Sequence, residues 1–214
     1  GTPGYTYLWD NNAGNTASVT VSPTATTTYT VTVTDSKGCT KTDAVTVTVN
    51  PRPNANAGPD VEICNGNSTT LTAQGSGGTP GYTYLWDNNA GNTASVTVSP
   101  TVTTTYTVIV TDNKGCTKSD QVVVTVNPLP IVNAGNDTII CNTYNAILKA
   151  TTTNGTPTFT YVWNNGTSNV GTTQTITVSP SANTTYTVTV TDSKSCTDTD
   201  QVLVTVTPLP VSGI

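Results

Sequence analysis

Sulfur is the main reactive chemistry in this sequence. Five cysteines, Cys39, Cys64, Cys116, Cys141 and Cys196, stand in a 214-residue chain that has no histidine and a single glutamate, Glu62. A metal site needs clustered soft or imidazole ligands, and there is no Cys-x-x-Cys pair to begin one. A nucleophilic cysteine or serine needs a neighbouring base, and the inventory supplies no ordinary one. Asp10, Asp35 and Asp43 could in principle act as paired carboxylates, yet they fall at positions that recur along the chain. An active site copied into every repeat would be odd, so no catalytic residue is assigned. Disulfide formation remains, which implies an oxidising compartment.

The aspartates invite one further reading. Asp112, Asn113, Lys114 and Gly115 form a hairpin-turn pattern in which side-chain oxygens cap nearby backbone amides. Asp60, Asp112 and Asp120 are also weak calcium candidates. Calcium takes six to eight oxygens, and the motif offers no fixed carboxylate spacing to supply them. No other cofactor is expected.

What positions these residues is a repeat. Gly1–Pro51 recurs at Gly78–Pro128 with six substitutions, and more loosely from Gly155 to Pro208 with an insertion. Trp9, Trp86 and Trp163 recur every 77 residues. A second block, NAGPDVEICNGNSTTLTAQG from Asn56, returns as NAGNDTIICNTYNAILKATT from Asn133, and it precedes the first block in each complete unit. The expected organisation is a partial unit over 1–53 that lacks its first strands, complete units over 54–130 and 131–210, and the start of a further linker or repeat over 211–214. The chain reads as a segment of a longer polypeptide.

Within a unit, VEIC, STTLTA, TYLW, SVTVSP, TTYTVIVTD and QVVVTVN alternate with period two between clusters of Gly, Asn, Pro and Asp, and no segment has helical spacing. Six or seven short strands in under about 80 residues point to an all-β fold of tandem immunoglobulin-like sandwiches. Pro51-Arg52-Pro53, Pro128-Leu129-Pro130 and Pro208-Leu209-Pro210 fix φ twice in three residues, which predicts stiff linkers and a rod. Trp9, Trp86 and Trp163 could stack on a ligand, but a lone Trp on a central strand of a small sandwich fills the core. Tyr29, Tyr106 and Tyr186 are placed in the core as well, and Tyr106, at the start of a late strand, resembles a tyrosine corner.

The repeat places Cys64 and Cys141 before the first turn of the complete units, and Cys39, Cys116 and Cys196 after the late hairpin turn. The plain pairing is one bridge per unit, Cys64–Cys116 and Cys141–Cys196, which leaves the partner of Cys39 outside the segment. If the first turn and the late hairpin lie at opposite poles, a bridge across units, Cys64–Cys196, takes its place. Unpaired or intermolecular thiols are the third alternative.

Composition bounds the partners. Charged residues make up 9% of the chain, with seven Lys+Arg and a net charge of -5. No basic stripe exists to neutralise phosphates, so nucleic acid is not an expected partner. No apolar run reaches the roughly 18 residues of a membrane-spanning helix.

The motif YxVxVTDxxGC, at Tyr29–Cys39 and Tyr106–Cys116, together with AGxD…ICxG and YxW, resembles the PKD-like and immunoglobulin-like repeats of very large surface proteins from gliding bacteria of the Bacteroidetes type. The likeness covers essentially the whole chain. It departs from the common PKD pattern at WDNNAG, where an aromatic and acidic turn such as WDFGDG would stand. The resemblance implies type IX secretion, a place at or beyond the cell surface, and roles in adhesion, gliding or appendages. It also implies O-glycosylation at Asp-Thr/Ser-aliphatic sites, which makes Thr138 in Asp137-Thr138-Ile139 a candidate. Two functions compete. One is a structural segment of a fibre, appendage or adhesin stalk, whose partners are other copies of the same chain in a filament. The other is a module that binds surface glycans or a target cell through loops such as Asp87–Asn92.

Overall fold

The computed structural model describes residues 1–210, so the expectation for 211–214 lies outside the described residues. All the regular structure among the described residues is β. The first unit holds β1 (Thr6–Trp9), β2 (Thr27–Thr34) and β3 (Thr40–Val47), which form one antiparallel sheet. The second holds β4 (Pro53–Asn56), β5 (Val61–Cys64), β6 (Thr69–Thr72), β7 (Gln74–Gly77), β8 (Thr83–Trp86), β9 (Ser95–Val98), β10 (Thr104–Thr111) and β11 (Thr117–Asn127). The third holds β12 (Pro130–Asn133), β13 (Thr138–Cys141), β14 (Ala146–Lys149), β15 (Thr151–Asn154), β16 (Thr160–Asn164), β17 (Asn169–Gly171), β18 (Thr175–Val178), β19 (Thr184–Thr191) and β20 (Thr197–Thr207).

In the second unit one sheet runs β5-β11-β10-β8, and facing it are the pairs β4-β7 and β6-β9. The chain leaves β4 on one sheet and crosses to the other as β5, where it pairs parallel with β11 while every other pairing in the unit is antiparallel. The third unit repeats this arrangement, with β13 parallel to β20 and β17 added beyond β16. Two packed sheets with a strand that switches between them define tandem immunoglobulin-like sandwiches.

Period-two alternation sets the core. On β10, Tyr106, Val108 and Val110 are buried with Val122 and Val124 of β11, Leu71 of β6 and Trp86 of β8. The third unit packs Tyr186, Val188, Val190, Val202, Val204, Leu148 and a fully buried Trp163 in the same way. Tyr29 is buried, but Trp9 is only partly covered, because no second sheet faces β1–β3 among the described residues. Val45 is accordingly 51% exposed where its repeat counterpart Val122 is 1% exposed.

The first two linkers each give up their closing proline to the unit that follows. Pro53 and Pro130 are the first residues of β4 and β12 and are fully buried, so each belongs to the unit it opens. A proline fits there because the first residue of an edge strand can lack a ladder donor. Only Pro128 and Leu129 separate β11 from β12.

Candidate functional site

The chemically distinctive place in the molecule is the junction between the second and third units. On the side of the second unit, β5 ends at Cys64 in parallel register with Asn127, the last residue of β11, and the Asn65 amide donates to the Asn127 carbonyl at 2.9 Å. On the side of the third unit, the turn from β19 to β20 is Asp192-Ser193-Lys194-Ser195-Cys196. Asp192 organises that turn. Its Oδ1 accepts from the amides of Lys194 and Cys196, each at 2.9 Å, and its Oδ2 accepts from the Thr156 amide at 2.8 Å. Ser195 closes the turn at φ +64°, where Gly38 and Gly115 stand in the other two units. Ser193 anchors the turn from the other side, its hydroxyl donating to the carbonyls of Thr156 and Pro157.

The sulfurs of Cys64 and Cys196 are bonded across the junction, with Cα atoms 5.6 Å apart. This corrects the plain pairing of Cys64 with Cys116 and Cys141 with Cys196, and the reason is the parallel strand. Cys116 immediately precedes β11, whereas Cys64 lies beside its far end, so eleven residues of extended strand separate them. That is roughly 30–35 Å, several times the reach of a disulfide. Cys141 and Cys196 lie at opposite ends of β20 in the same way. Cys39 and Cys141 are exposed free thiols and Cys116 is a partly covered one.

Beside the disulfide, Lys194 Nζ donates to both carboxylate oxygens of Glu62, at 3.0 and 2.7 Å, and Asn127 Nδ2 donates to Oε2 at 3.2 Å. The hydrogen bond from Lys194, then that from Asn127, and the lysine charge hold the Glu62 carboxyl below its ordinary range. Both side chains are about half exposed, so solvent screens the pair and it orients the junction more than it stabilises it. The only glutamate and a lysine, each two residues before a bonded cysteine, were the signal for this contact in the sequence.

Burial opposes the charge on Asp192, but the hydrogen bonds from Thr156, Cys196 and Lys194, aided by the Lys194 charge, outweigh it and lower its pKa. Asp112 and Asp35 repeat the turn. The Thr79 amide is the leading cause that lowers Asp112, and the Thr2 amide is the leading cause for Asp35.

The calcium candidates are spread over different contacts. Asp60 accepts from the Val123 amide and Asp120 from the Ala57 amide, each at 2.8 Å, which fastens the crossing strand segment to β11. Asp112 sits in the hairpin turn. No group of three or more carboxylate, cysteine or histidine side chains able to hold a metal occurs among the described residues. Asp10 accepts from the Thr30 amide, Asp35 holds its turn, and Asp43 accepts from the Ala44 amide, so these three also serve separate backbone contacts.

The Asp87–Asn92 loop is held by its own backbone. Asp87 Oδ1 accepts from Thr107 N, Asn88 Nδ2 donates to the Thr105 carbonyl, and Asn88 and Asn89 both adopt positive φ. Trp86 Nε1 donates to the Thr93 carbonyl, and Trp9 and Trp163 make the matching bonds to Thr16 and Thr173. Tyr29, Tyr106 and Tyr186 are buried. Tyr106 lines an open cleft of about 210 Å³ with Asn88, Asn89 and Pro100, and Tyr186 lines one of about 470 Å³ with Asn165 and Pro180. Thr138 opens β13, partly buried and paired with Val204.

No protein-family model matches the chain, and no curated protein does. Solved structures similar to it include extracellular domains 3 to 5 of Drosophila OTK, at 12% identity over 95% of this chain and 85% of that one, with a TM-score of 0.45. An I-band fragment of titin is similar at 14% identity over 95% and 88% of the two chains, with a TM-score of 0.46. Fibronectin(III)-like modules of Clostridium thermocellum CbhA are similar at 12% over 72% and 94%, with a TM-score of 0.39.

Proposed function

We propose that this chain is a structural segment of a long extracellular fibre, appendage or adhesin stalk on a bacterial surface, with no enzymatic role. The observation that carries this reading is the double tether between the second and third units. A two-residue link, Pro128-Leu129, joins them, and the Cys64–Cys196 bond joins them again beside it, Cys64 being paired with Asn127 at the start of the link. A single link leaves neighbouring domains free to swing and twist, whereas a second covalent link beside it blocks the twist and narrows the swing. Such a joint transmits force and orientation along the chain. A disulfide also requires an oxidising compartment, in keeping with export and exposure on the cell surface.

The weakly charged, threonine-rich faces of the sheets suit lateral contact between copies of the chain in a multi-chain filament used for attachment, gliding or prey capture. Type IX export and O-glycosylation at Thr138 belong to the same reading through the motif resemblance. Small-angle scattering with and without reductant tests it. Maximum dimension and shape should stay narrow in the oxidised chain and broaden on reduction; equal flexibility in both states would refute a stiff segment.

A second reading has one observation in its favour. The clefts at Tyr106 and Tyr186 recur at the same place in two units and combine an aromatic hydroxyl with asparagine side chains, a chemistry suited to sugar hydroxyls. Glycan-array binding that is lost on Tyr106→Phe with Tyr186→Phe would support recognition of surface glycans or a target cell.

A further inference from the structure

The junction obeys a register that the rest of the chain repeats. The cysteine that ends the sheet-switching strand, Cys64, stands at the end of its unit that leads into the next one. The cysteine of the β19–β20 turn, Cys196, stands at the end of its unit that faces the previous one. Each complete unit carries one of each kind. Cys141 pairs with Thr207 in the same parallel register that sets Cys64 beside Asn127, and the Asn142 amide donates to the Thr207 carbonyl as Asn65 does to Asn127. The third unit therefore presents an exposed thiol at its far pole in the geometry that is already bonded one unit earlier.

The surroundings of that thiol differ in a telling way. Ile139 stands where the second unit has Glu62, and Tyr144 where it has Asn67. They are 71% and 63% exposed. An ion-pairing rim has been exchanged for an apolar one around the same sulfur. Apolar side chains displayed on both sides of a reactive group fit a surface that is covered when the group is used.

We propose that Cys141 is half of a second inter-unit disulfide, completed by the hairpin-turn cysteine of another copy of this repeat unit stacked on the far pole of the third unit, with Ile139 and Tyr144 closing over the contact. Among the hairpin cysteines described, Cys196 is already bonded and Cys116 is partly covered, so exposed Cys39 is the one a second chain can offer. The bond forms by exchange with a disulfide oxidant, either a small-molecule disulfide or a protein one. The Cys141 thiolate attacks it and releases one thiol, and the hairpin thiolate then displaces the second. Two thiols are oxidised to one cystine while one disulfide is reduced to two thiols.

This proposal rests on the stacked-unit reading, and one experiment separates the two. The 214-residue chain is incubated in a glutathione redox buffer, its remaining thiols are blocked, and its cystine peptides are mapped by mass spectrometry after non-reducing electrophoresis. Covalent dimers and longer species should carry Cys39–Cys141 links in roughly tenfold excess over the symmetric Cys39–Cys39 and Cys141–Cys141 links, and Cys141→Ser or Cys39→Ser should each abolish the longer species. Links in statistical proportion, or monomer alone while Cys64–Cys196 forms fully, would overturn the proposal and leave the stacked-unit reading standing. Failure of Cys64–Cys196 itself would overturn both. The same mapping on protein blocked at isolation identifies the partner's source. A Cys141–hairpin link in the monomer band assigns it to a further unit of the same polypeptide, and a link confined to higher-mass bands assigns it to a second chain; either supports the site.

Discussion

Cys64 and Cys196 lie 132 residues apart in sequence and 5.6 Å apart between Cα atoms, and the bond between them ties two folded units together without bracing the core of either. The distinction sets what reduction does. A bridge within a unit constrains the unfolded chain of that unit, whereas this one constrains the angle between units.

Cys196→Ser should therefore leave both units folded, with a Tm within roughly 4 °C of the parent, while scattering or spin-label distances between the units broaden. A large Tm loss with unchanged inter-unit distances would mean that the bond serves the core instead.

The hairpin aspartates predict a one-sided pH response. Asp35, Asp112 and Asp192 have folded pKa values below the ordinary carboxylate value. A group whose pKa is depressed on folding contributes fully above its unfolded value and loses that contribution as pH falls through the folded one. Their stabilisation is thus constant well above the ordinary carboxylate value of about 4 and is lost as pH falls below it and through their lowered folded values. Asp192→Asn should lower Tm at neutral pH by roughly 4–8 °C and flatten the acid limb of Tm against pH. An unchanged acid limb would argue against the role of this turn.

Much of this architecture was legible in the sequence, because alternating valine and threonine between glycine and asparagine turns needs only local pattern to be read. Other parts depended on distant partners. The stretch Ser18-Val19-Thr20-Val21 is identical to Ser95–Val98, yet only the second is a strand, since β6 is there to pair with it. Pattern alone could not show that β5 runs parallel to β11, and that one pairing decides where Cys64 points. The backbone role of the aspartates at 60 and 120, weak calcium candidates in the sequence, was hidden for a related reason. Their amide partners, Val123 and Ala57, are each 63 residues away.

The tryptophans should differ in cost although they are equivalent in sequence. Trp163 is fully buried and Trp9 only partly covered. Trp163→Ala should destabilise the third unit by about 3–5 kcal/mol, a large share of the stability of a small domain. Trp9→Ala should cost the first unit clearly less. Denaturant midpoints for each unit give the comparison, and equal losses would contradict the burial difference.

Calcium should not be required. The oxygens of Asp60, Asp112 and Asp120 already accept backbone hydrogen bonds. Thermal unfolding in chelator and in millimolar calcium should coincide, and Asp120→Asn should destabilise equally in both. A calcium-dependent rise in Tm that is lost in this variant would establish a site.

The central claim is the covalent joint between units, and cystine-peptide mapping of the protein isolated under thiol-blocking conditions tests it most directly. The account predicts a peptide pair that joins Cys64 to Cys196. Recovery of Cys64 joined to Cys116, or of Cys141 joined to Cys196, would contradict it.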